Sequence, residues 1–189
     1  MGDSSASDRE FYRAAAELTV RYGPDTRQGR QTLALDQEVW GTMALLEQQA
    51  RQIMDDESVG DEEKPLLKVL HWLDFKLDLV LYHLRSRDQH QHFPYQGTTT
   101  DISGSGFGMA EPCEFEPGSL ILISLTLPNA PWRPVLAVGQ VVRSDSVNQG
   151  TLSAVHFSDI SDTDRERIIQ FTFSKQRQEL SRRVEEEHS

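Results

Sequence analysis

Residues 98–108 read TTTDISGSGFG. β-branched residues stand on one side of this stretch, three glycines (Gly104, Gly106, Gly108) within it, and a strand-like run beyond it. Threonine and isoleucine favour a pleated, half-buried strand, and closely spaced glycines mark a bend or a close backbone approach. One reading is a simple turn between strands. The other is half of a binding site, because Asp101 and Ser103 sit at the bend. The surrounding sequence has to choose.

Downstream the pattern is β. GSLILISLTLP (118–128) alternates and stops at proline. RPVLAVGQVVRSD (133–145) alternates with a glycine inside, which suggests a bulge, and QGTLSAVHF (149–157) follows a turn. The run SDTDRERIIQFTFSKQRQELSRR (161–183) opens on Ser-x-x-Asp, which is a helix start signal, and Ile168, Ile169 and Phe173 are its expected packing face. Upstream, AAAELTVRYGPD (14–25) alternates at Leu18, Val20 and Tyr22 and ends in a turn, so it reads as a short strand.

Between these β segments the period changes. Val39, Met43, Leu46, Ala50 and Ile53 recur at helical spacing. After the acidic break DDESVGDEE (55–63), a second run carries Leu66, Leu70, Leu73, Leu77, Val80 and Leu84 at alternating steps of four and three. That is the pattern of a coiled-coil seam. A hairpin that buries both stripes on itself needs no partner. Leu67, Trp72, Phe75, Leu79 and Leu81 add apolar surface off the seam, which favours self-association through residues 33–88.

The expected fold is therefore α+β, mainly β: a small antiparallel barrel closed by a C-terminal helix. A helical hairpin interrupts it after the first strand. A single domain spans 9–183, the insert occupies 33–88, and residues 1–8, small and polar, are expected to be disordered.

Composition limits the function. The 189-residue chain carries a net charge of -11, unfavourable for a general DNA or RNA binder whose affinity comes from cations meeting phosphates. The charge is uneven. Residues 1–32 hold five acids and five arginines, whereas residues 33–84 hold eleven acids and four bases. A small anion can still find arginines on a flank. No apolar run reaches the roughly 18 residues of a membrane span. MGDSSASDRE lacks the basic and apolar regions of a secretory signal, and its fit to the loose myristoylation pattern is of a kind common by chance. Cys113 is the single cysteine, which suits a reducing cytoplasm.

Catalytic sets are missing from the sequence, so no enzyme is expected. Ser103 has Asp101, not glycine, two residues before it, unlike a nucleophile elbow. His90 and His92 lack companions for a metal site, and the pairs Asp55-Asp56 and Glu62-Glu63 belong to a solvated connection. There is no P-loop or dinucleotide fingerprint. No metal or cofactor is expected.

Two short patterns remain: Arg9-Glu-Phe-Tyr-Arg13 ahead of the first strand, and Asp101-Ile-Ser103-Gly-Ser-Gly106 at the next. In this order they resemble the PilZ domain family, whose signature is R-x-x-x-R followed by D-x-S-x-x-G. EPGSLILISLTLP, VLAVGQVVRSDS and HFSDISDTDRERIIQF continue the resemblance, which covers residues 9–22 and 98–183. The helical insert is similar to an atypical branch that oligomerises through heptad helices. The resemblance implies a receptor for cyclic di-GMP, with Arg9, Arg13, Asp101, Ser103 and Gly106 as its ligand-binding residues. It also implies control of motility, surface attachment and biofilm, polysaccharide or secretion through a downstream protein. The residue chemistry agrees. Arginine can fork onto phosphate or guanine O6/N7 and stack on a base, Asp101 can accept from guanine N–H groups, and Ser103 can donate or accept nearby. Gly106 would permit the bend, including a positive φ. Two features strain the match. The insert separates Arg13 from Asp101, which makes Arg85 and Arg87 rival cations, but their spacing does not fit the motif and Arg9 and Arg13 are kept; Asp8 and Glu10 place acids beside an anion site. The alternative function is a scaffold of the same fold that acts through its helices without ligand.

Overall fold

The structure is a computed structural model that describes residues 11–55, 64–111, 113–147 and 150–187. Residues 1–8, Arg9 and the acidic connection 56–63 lie outside the described residues.

In chain order the elements are β1 (Ala14–Ala15), β2 (Thr19–Pro24), α1 (Arg27–Asp55), α2 (Lys64–His92), β3 (Tyr95–Ser103), β4 (Gly106–Met109), β5 (Leu120–Leu125), β6 (Val135–Val147), β7 (Gly150–Ile160) and α3 (Asp162–Glu187). The strands run β3-β2-β5-β6-β7-β4, and β4 pairs back with β3, so six antiparallel strands close a barrel. Among the described strands, closure leaves no long open sheet edge. β1 adds beside β3 on the same side as β2, so β1 and β2 are two parts of one interrupted strand. At the interruption Thr99 Oγ1 accepts the N–H of Leu18 at 3.0 Å, which satisfies a backbone donor that a regular ladder would have paired.

Alternation places the core. Leu18, Val20 and Tyr22 point inward and are buried, together with Ile102, Phe107, Ile121, Ile123, Leu125, Val141, Val155 and Phe157. The β6–β7 register shifts twice: opposite Val138 and Gly139, where the extra residue is Ser158 of β7, and between Val141 and Arg143, where it is Val142, so the irregularity within β6 itself lies three residues past the glycine. A Cβ at Gly139 would stand 2.4 Å from the Ile123 side chain, so glycine is the residue that fits there.

α1 begins at Arg27, earlier than the apolar period at residue 33 indicated. Thr26 Oγ1 accepts the N–H of Gly29 at 3.1 Å and caps a polar first turn. The helix is moored to the outside of the barrel. Leu33 and Phe93 pack with Leu122, Leu136 and Val138, and Gln37 Nε2 donates to the Leu136 carbonyl at 3.0 Å. α2 ends at His92, ahead of Pro94, which cannot continue a helix. Tyr22 pairs with Tyr95, so the long insert leaves and returns at one point between neighbouring strands. Of the alternatives for the α2 seam, burial within one hairpin does not hold: Leu66, Leu70, Leu73, Leu77, Val80 and Leu84 are all exposed in the chain.

α3 starts as expected, with Ser161 Oγ accepting the N–H of Asp164 at 3.1 Å. Its packing face differs from the expectation. Ile168 is buried along with Asp164, Phe171 and Thr172, while Phe173 is 51% exposed. Steps of four, three and one keep Asp164, Ile168, Phe171 and Thr172 on one helical face, and residue 173 turns away from it.

Candidate functional site

β1 sets the first candidate side chain. Ala15 pairs with Asp101 and Ala14 with Ile102, so the residue just before β1 lies at the end of β3 where the glycine-rich bend begins. Arg13 is that residue. Its Nη1 donates to Asp101 Oδ1 at 2.8 Å, across 88 positions of sequence. The structure thus brings together two members of the expected set, Arg13 and Asp101. Arg9 lies outside the described residues, as do the side chains of Arg85 and Arg87.

The carboxylate is held on its other side too, since Asp101 Oδ2 accepts from Thr100 Oγ1 at 3.0 Å. Asp101 faces Gly108 on β4, where a Cβ would stand 2.7 Å from Oδ2. Gly108 therefore leaves the space that the carboxylate fills. Gly108 is outside the D-x-S-x-x-G pattern. The signal was the third glycine of SGSGFG, in the cross-strand position from the acid.

Ser103 pairs with Gly106 across a two-residue turn, Gly104-Ser105. Ser103 is fully buried, and its hydroxyl bonds the Gly106 carbonyl at 3.2 Å and Ser105 Oγ at 3.0 Å. The hydroxyl serves the turn from inside. Gly106 is needed for a different reason from the one expected. Its φ is not positive, the left-handed glycine being Gly118 among the described residues. A Cβ on Gly106 would stand 2.1 Å from the Val155 carbonyl oxygen of β7. Backbone has little freedom to retreat, so Gly106→Ala is expected to cost about 3 kcal/mol, a fall in Tm of about 6–12 °C. Thermal denaturation followed by circular dichroism measures it, and an unchanged Tm would show that β7 yields.

The pair is open to solvent, with side-chain exposures of 48% for Arg13 and 33% for Asp101. Both charges can therefore be reached. Grooves on α3 (Ser174, Arg177, Gln178, Ser181, Arg182) and at the start of α1 (Asp25, Arg27, Arg30, Gln31, Ala34) include none of these residues. Among the described residues no group of three or more histidine, cysteine or acidic side chains is placed to hold a metal ion. None of the described helices is long and apolar enough to cross a membrane.

A PilZ domain family model matches residues 75–174, more than half of the chain and the part that holds Asp101, Ser103 and Gly106. The chain belongs to the PilZ domain family. Among solved PilZ structures, a tetrameric PilZ domain from Xanthomonas campestris, self-assembled through a helical bundle, is similar at 17% identity. The match has a TM-score of 0.50 and covers 92% of both chains. The inhibitor of motility MotI/DgrA from Bacillus subtilis is similar at 13% identity and a TM-score of 0.47. That match covers 89% of this chain and 51% of the other, so this chain spans about half of that protein. YcgR from Escherichia coli, solved in complex with c-di-GMP, is similar at 16% identity and a TM-score of 0.41 over 48% of this chain and 39% of its own. No curated protein matches the chain. The Xanthomonas structure supports the fold of this PilZ protein over nearly its whole length, helices included.

Proposed function

We propose that this PilZ protein is a receptor for cyclic di-GMP that binds the dinucleotide without turning it over and signals to a partner protein. The observation that carries the reading is the Arg13–Asp101 pair at the rim of the barrel. In this reading Arg9 and Arg13 meet the phosphates and the guanine O6/N7 edges. Asp101 accepts from guanine N1–H and N2–H₂, while Ser103 and Gly106 shape the rim. A direct bond from Ser103 to ligand requires it to exchange its present bonds within the turn.

Magnitudes favour ligand over the resting pair. An exposed ion pair is worth about 0–1 kcal/mol, whereas each hydrogen bond to a charged group contributes about 1.5–3 kcal/mol. Releasing Arg13 from Asp101 thus costs little, and each then finds a partner on the dinucleotide. Because phosphates meet arginines at an exposed site, affinity is expected to fall about fivefold or more between 50 and 500 mM salt. Titrations at several ionic strengths measure this. A salt-independent affinity would contradict phosphate recognition by the arm.

The helical insert supports a further part of the reading, that copies of the chain self-associate. The six seam residues of α2 are between 49% and 64% exposed. Fully burying each contributes about 1.5–3 kcal/mol, enough to hold copies together at modest concentration. The Xanthomonas relative assembles through a helical bundle. We extend that mode to residues 33–88 here. The same exposed seam favours the alternative, a scaffold that acts through its helices alone, and ligand titration separates the two.

A further inference from the structure

Phe11 stands between the two arginines of the arm, and its surroundings have no place in the motif. A Cβ at Gly104 would lie 2.8 Å from Phe11 Cδ1 and 3.2 Å from Ile169 Cγ1. The ring is therefore seated against the bare backbone of the β3–β4 turn, beside α3. Arg165, in the first turn of α3, completes the niche. Its Nη1 donates to the Gly104 carbonyl at 2.6 Å, and its guanidinium lies 5.9 Å from the Phe11 ring centroid, within reach of a cation–π contact. One half-buried side chain thus touches the arm and the turn while belonging to the C-terminal helix.

We propose that Phe11 anchors the arm and that Arg165 is the positioning residue holding that anchor, so that α3 sets Arg13 on the site. The proposal rests on the cyclic di-GMP reading and deepens it. Ordering a free chain costs about 1–2 kcal/mol per residue in backbone entropy, so an arm pinned at Phe11 before ligand arrives binds more tightly than a loose one. Gly104 is part of the device, because any side chain there displaces the ring. Lysine cannot replace Arg165: it keeps the charge but lacks the planar fork that reaches the carbonyl while facing the ring. By the same contacts, ligand that moves the arm is felt at α3.

The test uses the full chain and has two arms. Without ligand, the initial rate of tryptic cleavage after Arg13, located by mass spectrometry, is expected to rise about fivefold or more in Arg165→Ala and in Phe11→Ala, because local opening exposes the arm. With cyclic di-GMP, each variant is expected to bind about tenfold more weakly, and the double variant no more weakly than either single one, as residues acting through one contact do. Arg165→Lys should behave as Arg165→Ala, and Phe11→Tyr as wild type, which also guards against a fold defect. Unchanged cleavage in Arg165→Ala overturns the anchor. Faster cleavage at unchanged affinity overturns its positioning role. Losses that multiply in the double variant overturn action through Phe11 and place Arg165 on the ligand itself. If wild type binds no cyclic di-GMP, the receptor reading falls and the positioning role with it, while the cleavage rates still decide whether the anchor exists.

Discussion

Arg13→Ala is expected to lower the affinity for cyclic di-GMP by about a hundredfold or more while leaving the fold intact. Two physical estimates separate these outcomes. In the free protein Arg13 is about half exposed and pairs with a partly exposed Asp101, so the lost pair is worth no more than about 1 kcal/mol of stability. In the proposed complex the same guanidinium would meet phosphate or a guanine edge, and truncating one partner of a desolvated charge pair costs about 2–5 kcal/mol. A loss of about 3 kcal/mol is about a hundredfold in Kd. Calorimetric titration gives the affinity, and thermal denaturation confirms the fold with a Tm within about 2–4 °C of wild type. An affinity within twofold of wild type would remove Arg13 from the site.

Leu73→Asp with Leu77→Asp is expected to reduce the protein to monomers. Both side chains lie on the exposed seam of α2, at 49% and 61% exposure, so charges there are tolerated by the isolated chain. In a helix–helix interface the same charges would be desolvated without partners, at several kcal/mol each. The insert is already acidic, with eleven acids against four bases over residues 33–84, so added carboxylates also repel across copies. Light scattering behind size exclusion measures the mass. If the variant keeps the wild-type mass above that of one chain, the seam is not the interface. Cyclic di-GMP affinity per chain is expected to change little, since the rim residues Arg13 and Asp101 lie on the barrel.

The parts of this PilZ protein that local chemistry dictates were legible in its sequence. Alternation at Leu18, Val20 and Tyr22 marked an inward strand face, and all three are buried. Ser161 announced the start of α3 and caps it. The glycine inside RPVLAVGQVVRSD marks a place where the ladder shifts, but the extra residue there is Ser158 of β7. Other features depend on distant neighbours. β4 is the short run Gly-Phe-Gly-Met, poor in strand formers, and forms because β3 and β7 pair with it on both sides. Phe173 is expected on the packing face with Ile168 and Ile169, but the barrel claims the face of α3 that holds Phe171 and Thr172. The polar first turn of α1, Arg27 to Arg30, gives no apolar period and was passed over.

The juxtaposition at the candidate site was legible to the same depth. Motif order identified Arg13 and Asp101, and strand pairing brings them within 2.8 Å. What stayed hidden is why the glycines stand there. Gly106 avoids the Val155 carbonyl, Gly108 makes room for the Asp101 carboxylate, and Gly104 seats the Phe11 ring. Each reason lies on another strand or on the arm. Ser103 likewise has the residue type of a ligand contact but sits inside the turn.

Titration of the purified wild-type chain with cyclic di-GMP, beside the Arg9→Ala, Arg13→Ala double variant, tests the central claim most directly. Calorimetry would be repeated with a fluorescent ligand so that a binding enthalpy near zero is not mistaken for silence. Saturable binding by wild type that is lost in the folded double variant is the predicted result. Silence of the wild type in both measurements, or equal binding by the double variant, would contradict the receptor reading and shift attention to the exposed seam of α2.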